Sequence, residues 1–344
     1  MQLEVGLNSF RVLLRTGNML YREQIGGPMK VLITGGAGFI AFHLASRLQD
    51  EGFEVSLLDN FNSFYDPALK RQNVRDLQLR GRAALYETDI LDTSGLRRVF
   101  QELRPEAVVH LAAWAGVRPS LENPAIYADV NVTGTVNLLQ LAREFGVERF
   151  LFGSSSSVYG GSERVPYSED DPVDRPVSPY AATKRAGELL CHTYATNYSM
   201  HITCLRFFTV YGPRQRPEMA IHKFAALIRE GKEVPVFGTG DSQRDYTYVD
   251  DIVSGITAAL HVNPGFEIIN LGESQTITLL DMIRQLEAAL GKKARLRFLP
   301  EQPGDMRITF ADIGKARAIL GYLPAIPIEE GIRRFADWFL RRKE

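Results

Sequence analysis

Tyr180 and Lys184 stand four residues apart in a stretch, 178–198, whose pattern predicts a helix, so both side chains share one face. A phenol ordinarily titrates near ~10. A neighbouring ammonium favours the phenolate, which would make Tyr180 a general base. A Tyr-x-x-x-Lys pair recurs by chance on surface helices, and its weight here comes from what precedes it. The apolar run Phe150-Leu151-Phe152 reads as a strand and leads into Ser154-Ser155-Ser156-Ser157. A hydroxyl at the C-terminal end of such a strand points into the crevice where α/β sheets bind ligands. The alternative is a mere polar turn.

A second constellation lies near the start. Thr34-Gly35-Gly36-Ala37-Gly38-Phe39-Ile40-Ala41 falls between the apolar run Val31-Leu32-Ile33 and a helical stretch from Phe39 to Asp50. Gly35 permits a tight turn, and Gly38 lets backbone approach a pyrophosphate at the helix N-terminus. Ala41 takes the third small position, where helix packs on strand. Asp59 closes the second strand, Val55 to Leu58, 21 residues after Gly38. At that spacing an acid binds the adenosine ribose hydroxyls and repels a 2′-phosphate, which selects NAD over NADP. The competing reading is a structural turn with a helix-capping Asp. A nicotinamide cation beside Tyr180 would add to the pull towards phenolate. Asp89 follows the strand-like Ala84-Leu85-Tyr86. It either accepts a hydrogen bond from the adenine amino group or caps the next helix, with Thr93 and Ser94 as rival caps.

These groups need a scaffold, and the alternation of apolar runs with amphipathic stretches supplies one. Further strands are expected at Val108-Val109 and Ile202 to Phe207, with a helix near 125–145. Strand–helix alternation implies right-handed parallel crossovers, hence an α/β, doubly wound parallel (Rossmann) sheet. We expect a dinucleotide-binding domain at 29–205 with later returns near 240–275, and a smaller, interleaved substrate-binding domain over most of 206–344, where prolines such as Pro213, Pro235 and Pro324 interrupt the pattern. Residues 1–28, which end in Gly26-Gly27-Pro28, read as a disordered extension or an upstream start. The composition is ordinary for a globular chain: 344 residues, 45% hydrophobic and 24% charged. A net charge of -1 gives no basis for nucleic-acid or membrane-surface binding. No apolar run is long enough to span a bilayer. Cys191 and Cys204 have no metal-ligand spacing and suit a reducing, cytoplasmic setting.

Taken together the motifs identify a family. TGGAGFI, LLDN, HLAA at His110–Ala113, SSSSVYGG, SPYAATK, RFFTVYGP at Arg206–Pro213 and RDYTYVDD at Arg244–Asp251 resemble the NAD-dependent epimerase/dehydratase family, of the extended short-chain dehydrogenase class, over nearly all of residues 29–340. The resemblance implies Ser155 as the catalytic hydroxyl, Tyr180 as the base, and Lys184 as ribose contact and charge. It places Phe39, Ile40, Asn60, Ile90, Ala112 and Ala113 on the cofactor and Arg244 on the substrate diphosphate. YDPALKR at Tyr65–Arg71, AGVRPSLENP at Ala115–Pro124 and RPEMA at Arg216–Ala220 resemble the UDP-glucuronate 4-epimerases within that family. That narrower likeness implies Ser155, Ser156 and Thr209 on the sugar carboxylate and Arg216 on the nucleotide. Arg118 either steadies an anion or is a surface arginine. Asp305 either binds a ribose hydroxyl or is a solvated acid.

Departures refine the expectation. Gln302 precedes Pro303-Gly304-Asp305 where UDP-galactose 4-epimerases carry an Arg. Ser156 and Ser157 stand where the related dehydratases carry Asp-Glu, and Ser157 where decarboxylases carry Glu. Elimination needs an acid and a base that serines do not supply near neutral pH. The expected activity is therefore epimerisation at C4 of a UDP-sugar, UDP-glucuronate to UDP-galacturonate, through a 4-keto form. The alternatives are a UDP-hexose or UDP-N-acetylhexosamine 4-epimerase, a UDP-glucuronate decarboxylase, or a non-catalytic NAD-binding scaffold. By the same resemblance the helices near 125–145 and 178–198, with Val136, Leu139 and Leu189, are expected to pair in a homodimer.

Overall fold

The computed structural model describes residues 27–81, 83–162, 164–301 and 307–342. The extension assigned to 1–28 therefore lies, up to residue 26, outside the described residues, as do Gln302 and Asp305. Seven parallel strands form the central sheet: β1 (Lys30–Thr34), β2 (Glu54–Asp59), β3 (Ala84–Glu87), β4 (Ala107–His110), β5 (Arg149–Ser155), β6 (His201–Phe207) and β7 (Phe266–Leu271). Their spatial order is β7-β6-β5-β4-β1-β2-β3. The order reverses between β1 and β4, which is where a doubly wound sheet opens a ligand crevice.

The sheet is buried on both faces, so its strands read as continuous apolar runs. In β1, Val31 and Ile33 join the core on one side and Leu32 the core on the other. In β5, Leu151 goes with the first side, and Phe150 and Phe152 with the second. Helices α1 (Phe39–Asp50), α2 (Pro67–Arg80), α3 (Thr93–Leu103), α4 (Gly134–Glu144), α5 (Pro179–Tyr198) and α6 (Val249–Ala259) include those that cover the two faces. α1 and α6 pack together on one side; α3, α4 and α5 pack in series on the other.

The helix expected at 125–145 is broken. Pro124–Ala128 and α4 are separated by a π-helical turn, Asp129–Thr133. Such a turn adds a residue and re-aims side chains, often beside functional sites. Here it turns buried Asn131 so that Oδ1 accepts the Trp114 N–H at 2.8 Å and Nδ2 donates to the Trp114 carbonyl at 2.9 Å. The loop after β4 thus gains the partners a strand would have given it.

Beyond β6 the chain builds three two-stranded sheets. Thr209–Tyr211 pairs in parallel with Tyr246–Tyr248, Gln243–Arg244 antiparallel with Ile277–Thr278, and Glu233–Phe237 in parallel with Arg295–Leu299. Between them the chain returns to the main sheet, where β7 pairs with β6. No helix among the described residues is long and apolar enough to cross a membrane.

Candidate active site

One cavity of about 730 Å³ opens at the C-terminal ends of β1 to β5. Gly35, Gly38, Phe39, Ile40, Asp59 and Asn60 line it at one end, with Asp89, Ile90, Ala112 and Ala113 beside them. Ser155, Ser156, Tyr180 and Lys184 line it too, as do Thr209, Arg216 and Arg244 from the later segments. The structure thus brings together the site residues expected from sequence, save Asp305, which lies outside the described residues.

The glycine-rich end is a cradle that side chains would fill. Gly35 has φ +65°, and a Cβ there would fall 2.8 Å from the backbone N of Ala112. Gly38 is the N-cap of α1 and provides no side-chain cap, so the first-turn N–H groups are left for a ligand. Backbone donors at a helix N-terminus, with carboxylates beyond, fit the pyrophosphate and ribose hydroxyls of a dinucleotide. A directed hydrogen-bond chain fixes the strand that faces this cradle. Ala112 N–H donates to Thr34 Oγ1 at 3.3 Å, Thr34 Oγ1 lies 2.8 Å from His110 Nδ1, and His110 Nε2 lies 3.0 Å from Thr135 Oγ1. Thr135 gives its proton to the Asn131 carbonyl, so His110 must carry its proton on Nε2 and accept at Nδ1. Burial, and then Lys184, pull His110 down to about 3, which keeps it neutral.

Asp59 is nearly enclosed. Its Oδ2 accepts the Ala37 N–H at 3.2 Å and its Oδ1 the Phe61 N–H at 2.8 Å, with Lys70 Nζ 3.6 Å away. Lys70, buried in α2 and also lining the cavity, is a group the sequence reading missed. It stands within the stretch Tyr65–Arg71, whose helical phase turns it inward. Asp89 is not a helix cap. Its Oδ2 accepts from Asn60 Nδ2 at 2.6 Å and its Oδ1 from the Leu91 N–H at 2.8 Å. Asp92 caps α3 through the Gly95 N–H, displacing Thr93 and Ser94 as well. The reason is local: Asp92 is the residue immediately before the first helical position, the place an Asx cap occupies.

Around Tyr180 the geometry is tight. Lys184 Nζ donates to the Gly153 carbonyl at 2.6 Å and lies over the Phe152 ring. Ser155 stands close enough to the Tyr180 hydroxyl for its side chain to favour the phenolate. Ser155 Oγ in turn accepts from the Ser157 hydroxyl at 3.0 Å and from the Ser157 N–H at 3.2 Å. Burial raises the Tyr180 phenol, with Ser155 and Arg216 pulling the other way. The lowering expected from Lys184 is therefore not what the chain alone produces. Burial instead pulls Lys184 itself down to about 8, against Cys191 and Glu188.

The far end of the cavity is cationic. Arg216 lies 3.2 Å from Glu218 and over the Phe64 ring. Arg244 Nη1 donates to the Gln243 carbonyl at 2.8 Å. Exposed Arg118 also lines the cavity, its guanidinium 4.9 Å from the centre of the Phe237 ring.

A parallel sheet reversing at β1 and β4, a glycine cradle there, and a Tyr–Lys–Ser cluster in the same cavity define a dinucleotide-dependent enzyme of the short-chain dehydrogenase class. The chain belongs to the NAD dependent epimerase/dehydratase family, whose model matches residues 31–272. It is 44% identical over 308 residues to the UDP-glucuronate 4-epimerase of Thermodesulfobacterium geofontis, covering 89% of this chain and 95% of that one. Identity to a probable UDP-glucuronate 4-epimerase of Rhizobium meliloti is 39% over 330 residues, covering 90% and 97%. Among solved structures, the UDP-glucuronic acid 4-epimerase from Bacillus cereus in complex with UDP-glucuronic acid and NAD superposes with a TM-score of 0.85 at 38% identity, covering 91% of this chain and 99% of that one. The UDP-glucose 4-epimerase of Thermus thermophilus in complex with NAD gives 0.83 at 34% identity, with the same coverage.

Proposed function

We propose that this chain is an NAD-dependent isomerase that interconverts UDP-glucuronate and UDP-galacturonate at C4. The observation that carries the reading is the run of hydroxyls, without a carboxylate among them, beside Tyr180 in the cavity. Ser155 acts on it, Ser156 and Ser157 follow, and Thr209 lines the same cavity. When bound, NAD supplies reversible hydride acceptance at the sugar carbon. The residues do the rest. Tyr180 takes the proton from the 4-hydroxyl oxygen and later returns it. Ser155, whose Oγ already accepts from Ser157, donates its proton to that oxygen or to the phenolate. Lys184, held on the Gly153 carbonyl, keeps a positive charge near the phenolate. Ser156 and Thr209 hold the sugar carboxylate away from the geometry in which a 4-keto acid loses carbon dioxide, and keep its charge localised; Ser155, whose one proton goes to the 4-oxygen or the phenolate, meets the sugar there instead. Arg216 and Arg244 take the nucleotide and diphosphate.

Two further assignments go with this reading. A cytoplasmic setting is supported by the free, buried Cys191 and Cys204. A homodimer through α4 and α5 is supported by Leu189 of α5, which is 52% exposed. Leu139 is fully buried in its own core and Val136 is half-buried, so neither of the other two expected contacts is a large exposed one.

Incubation with UDP-glucuronate, UDP-glucose and UDP-N-acetylglucosamine, followed by product separation, tests the assignment. UDP-galacturonate should be the main product from the first. Faster turnover of either neutral sugar, or a pentose as the main product, would overturn it.

A further inference from the structure

Directly behind the cavity lies a buried charge cluster that the proposed reaction does not use. In α5, Tyr180, Lys184 and Glu188 recur every four residues and so share one stripe. Lys184 fastens that stripe to the Gly153 carbonyl of β5. One turn further on, fully buried Glu188 fastens it again. Its Oε1 accepts from Ser154 Oγ at 2.7 Å and Arg206 Nε at 2.8 Å. Its Oε2 accepts from Arg206 Nη2 at 2.9 Å and Arg185 Nη1 at 3.0 Å. Arg206, 1% exposed, stands on β6 in register with Ser154. One carboxylate thus ties the helix that carries Tyr180 to the strand that ends in Ser155, and to the next strand as well. The approach is close: a Cβ on Gly187 would fall 2.3 Å from the Phe152 ring.

A buried ion pair is a poor way merely to glue a helix to a sheet, because desolvation offsets much of its attraction. Its hydrogen bonds do, however, fix direction and register in a way apolar contact does not. We propose that Glu188 is a positioning residue for the reaction proposed above: it sets the register of α5 on β5 and thereby the contact between the Tyr180 and Ser155 hydroxyls. The carboxyl is held below its ordinary range: burial pushes it up, and Arg206, Ser154 and Arg185 together outweigh burial. The titratable groups that act on Lys184 are Cys191 and Glu188 from its own helix; His110 of β4, which Lys184 helps to keep neutral, is the other titratable group beside it. Cys191 and then Glu188 support the ammonium against burial, so removal of the Glu188 charge moves the loss of that ammonium to lower pH.

The test compares wild type with Glu188→Gln and Ser154→Ala, assayed per NAD-loaded chain well below each Tm. Glu188→Gln should lower kcat on the order of 10–100-fold, the scale of a misplaced reacting group. KM should stay within about twofold, and the alkaline limb of the kcat profile should move to lower pH. Ser154→Ala, which removes only the Glu188 anchor on β5 and leaves that of Lys184, should lower kcat several-fold without moving the limb. Wild-type kcat in both folded variants overturns the proposal, as does a kcat loss no greater than the loss of folded chain. If Glu188→Gln does not fold, Ser154→Ala decides alone, and wild-type kcat there overturns it. Wild-type protein that epimerises only another UDP-sugar would sink the substrate assignment, and the same comparison is then made on that sugar.

Discussion

The Ser157 hydroxyl donates to Ser155 Oγ at 3.0 Å, and the Ser157 backbone N–H donates to the same atom at 3.2 Å. Both acceptor positions of Ser155 are thereby filled, and its single proton is left to point at Tyr180. Ser157 is absent from the expected site, although the sequence marks it as the position where decarboxylase relatives carry Glu. Its role follows from the 3-10 turn Ser156–Tyr159, which folds the chain back on the end of β5. Ser157→Ala should lower kcat by about 10-fold, as one hydrogen bond of roughly 1–1.5 kcal/mol is lost while the N–H contact persists. Tyr180→Phe should cost ~10²–10⁴-fold. Steady-state turnover with saturating UDP-sugar checks both, and an unchanged Ser157→Ala would show that Ser155 needs no orienting partner.

Asp59 gives a second test. Its two oxygens are already held by the Ala37 and Phe61 N–H groups, and Lys70 stands 3.6 Å away. The backbone bonds aim the carboxylate, while the lysine offsets its repulsion of a 2′-phosphate. Asp59→Ala should therefore weaken NAD on the order of 10-fold, one hydrogen bond to a charged group, and NADP by less. Equilibrium binding of both cofactors to nucleotide-stripped protein measures this. Equal weakening would mean that Asp59 does not read the ribose.

What the sequence made legible, and what it did not, follows from range. The strand at Val31-Leu32-Ile33 and the helix from Phe39 to Asp50 are local patterns buried on two faces and one face, and the structure has them where expected. Tyr180 and Lys184 share a helix, so four-residue spacing was enough to pair them. Lys70, Asn131 and Glu188 were not legible as site supports, because each meets its partners on another element or loop: Lys70 meets Asp59 and Asn62, Asn131 the Trp114 backbone, and Glu188 Ser154 and Arg206. The break at Asp129–Thr133 was hidden for a related reason: Asn131 is turned by its bonds to the Trp114 backbone, 17 residues away. Asp92, which caps α3 in place of Asp89, Thr93 or Ser94, lies three residues after the first and immediately before the second, and only the position of the first helical turn singles it out.

Glu273 links stability to pH. It follows β7, and its Oε2 is buried with no hydrogen-bond partner among the described residues. Burial first, then Asp251 and Asp245, push its carboxyl up to about 8. An unfolded Glu titrates near ~4.3. Between those values the folded chain binds more protons than the unfolded one, so this group's contribution is fully present below ~4.3 and is lost as pH rises through about 8. Glu273→Gln removes that loss. Its Tm should exceed wild type by roughly 2 °C or more at pH 8–9 and by less at pH 5. Thermal scans at the two pH values check the sign, and a larger gain at pH 5 would contradict it.

Thr209 carries the sharpest claim, that the cavity is built for a carboxylate. Its backbone is fixed where the N–H donates to the Asp245 carbonyl at 3.0 Å, and it lines the same cavity as the serine run. Asp245 is itself clamped by the N–H groups of Glu273, Ser274 and Ala311. The hydroxyl is therefore presented from a rigid base, which is what a group meant to hold a carboxylate in one plane requires. Each hydrogen bond to a charged group is worth roughly 1.5–3 kcal/mol, or about 10–150-fold. Thr209→Ala should cut kcat/KM for UDP-glucuronate by that factor and leave UDP-glucose within a few-fold. A carboxylate freed from one donor also reaches more readily the perpendicular geometry from which carbon dioxide leaves a 4-keto acid. The variant should then release a UDP-4-keto-pentose that wild type does not. Product profiles of the two proteins on both sugars decide the matter. Equal losses on UDP-glucuronate and UDP-glucose would show that Thr209 supports the cavity wall without touching the carboxylate.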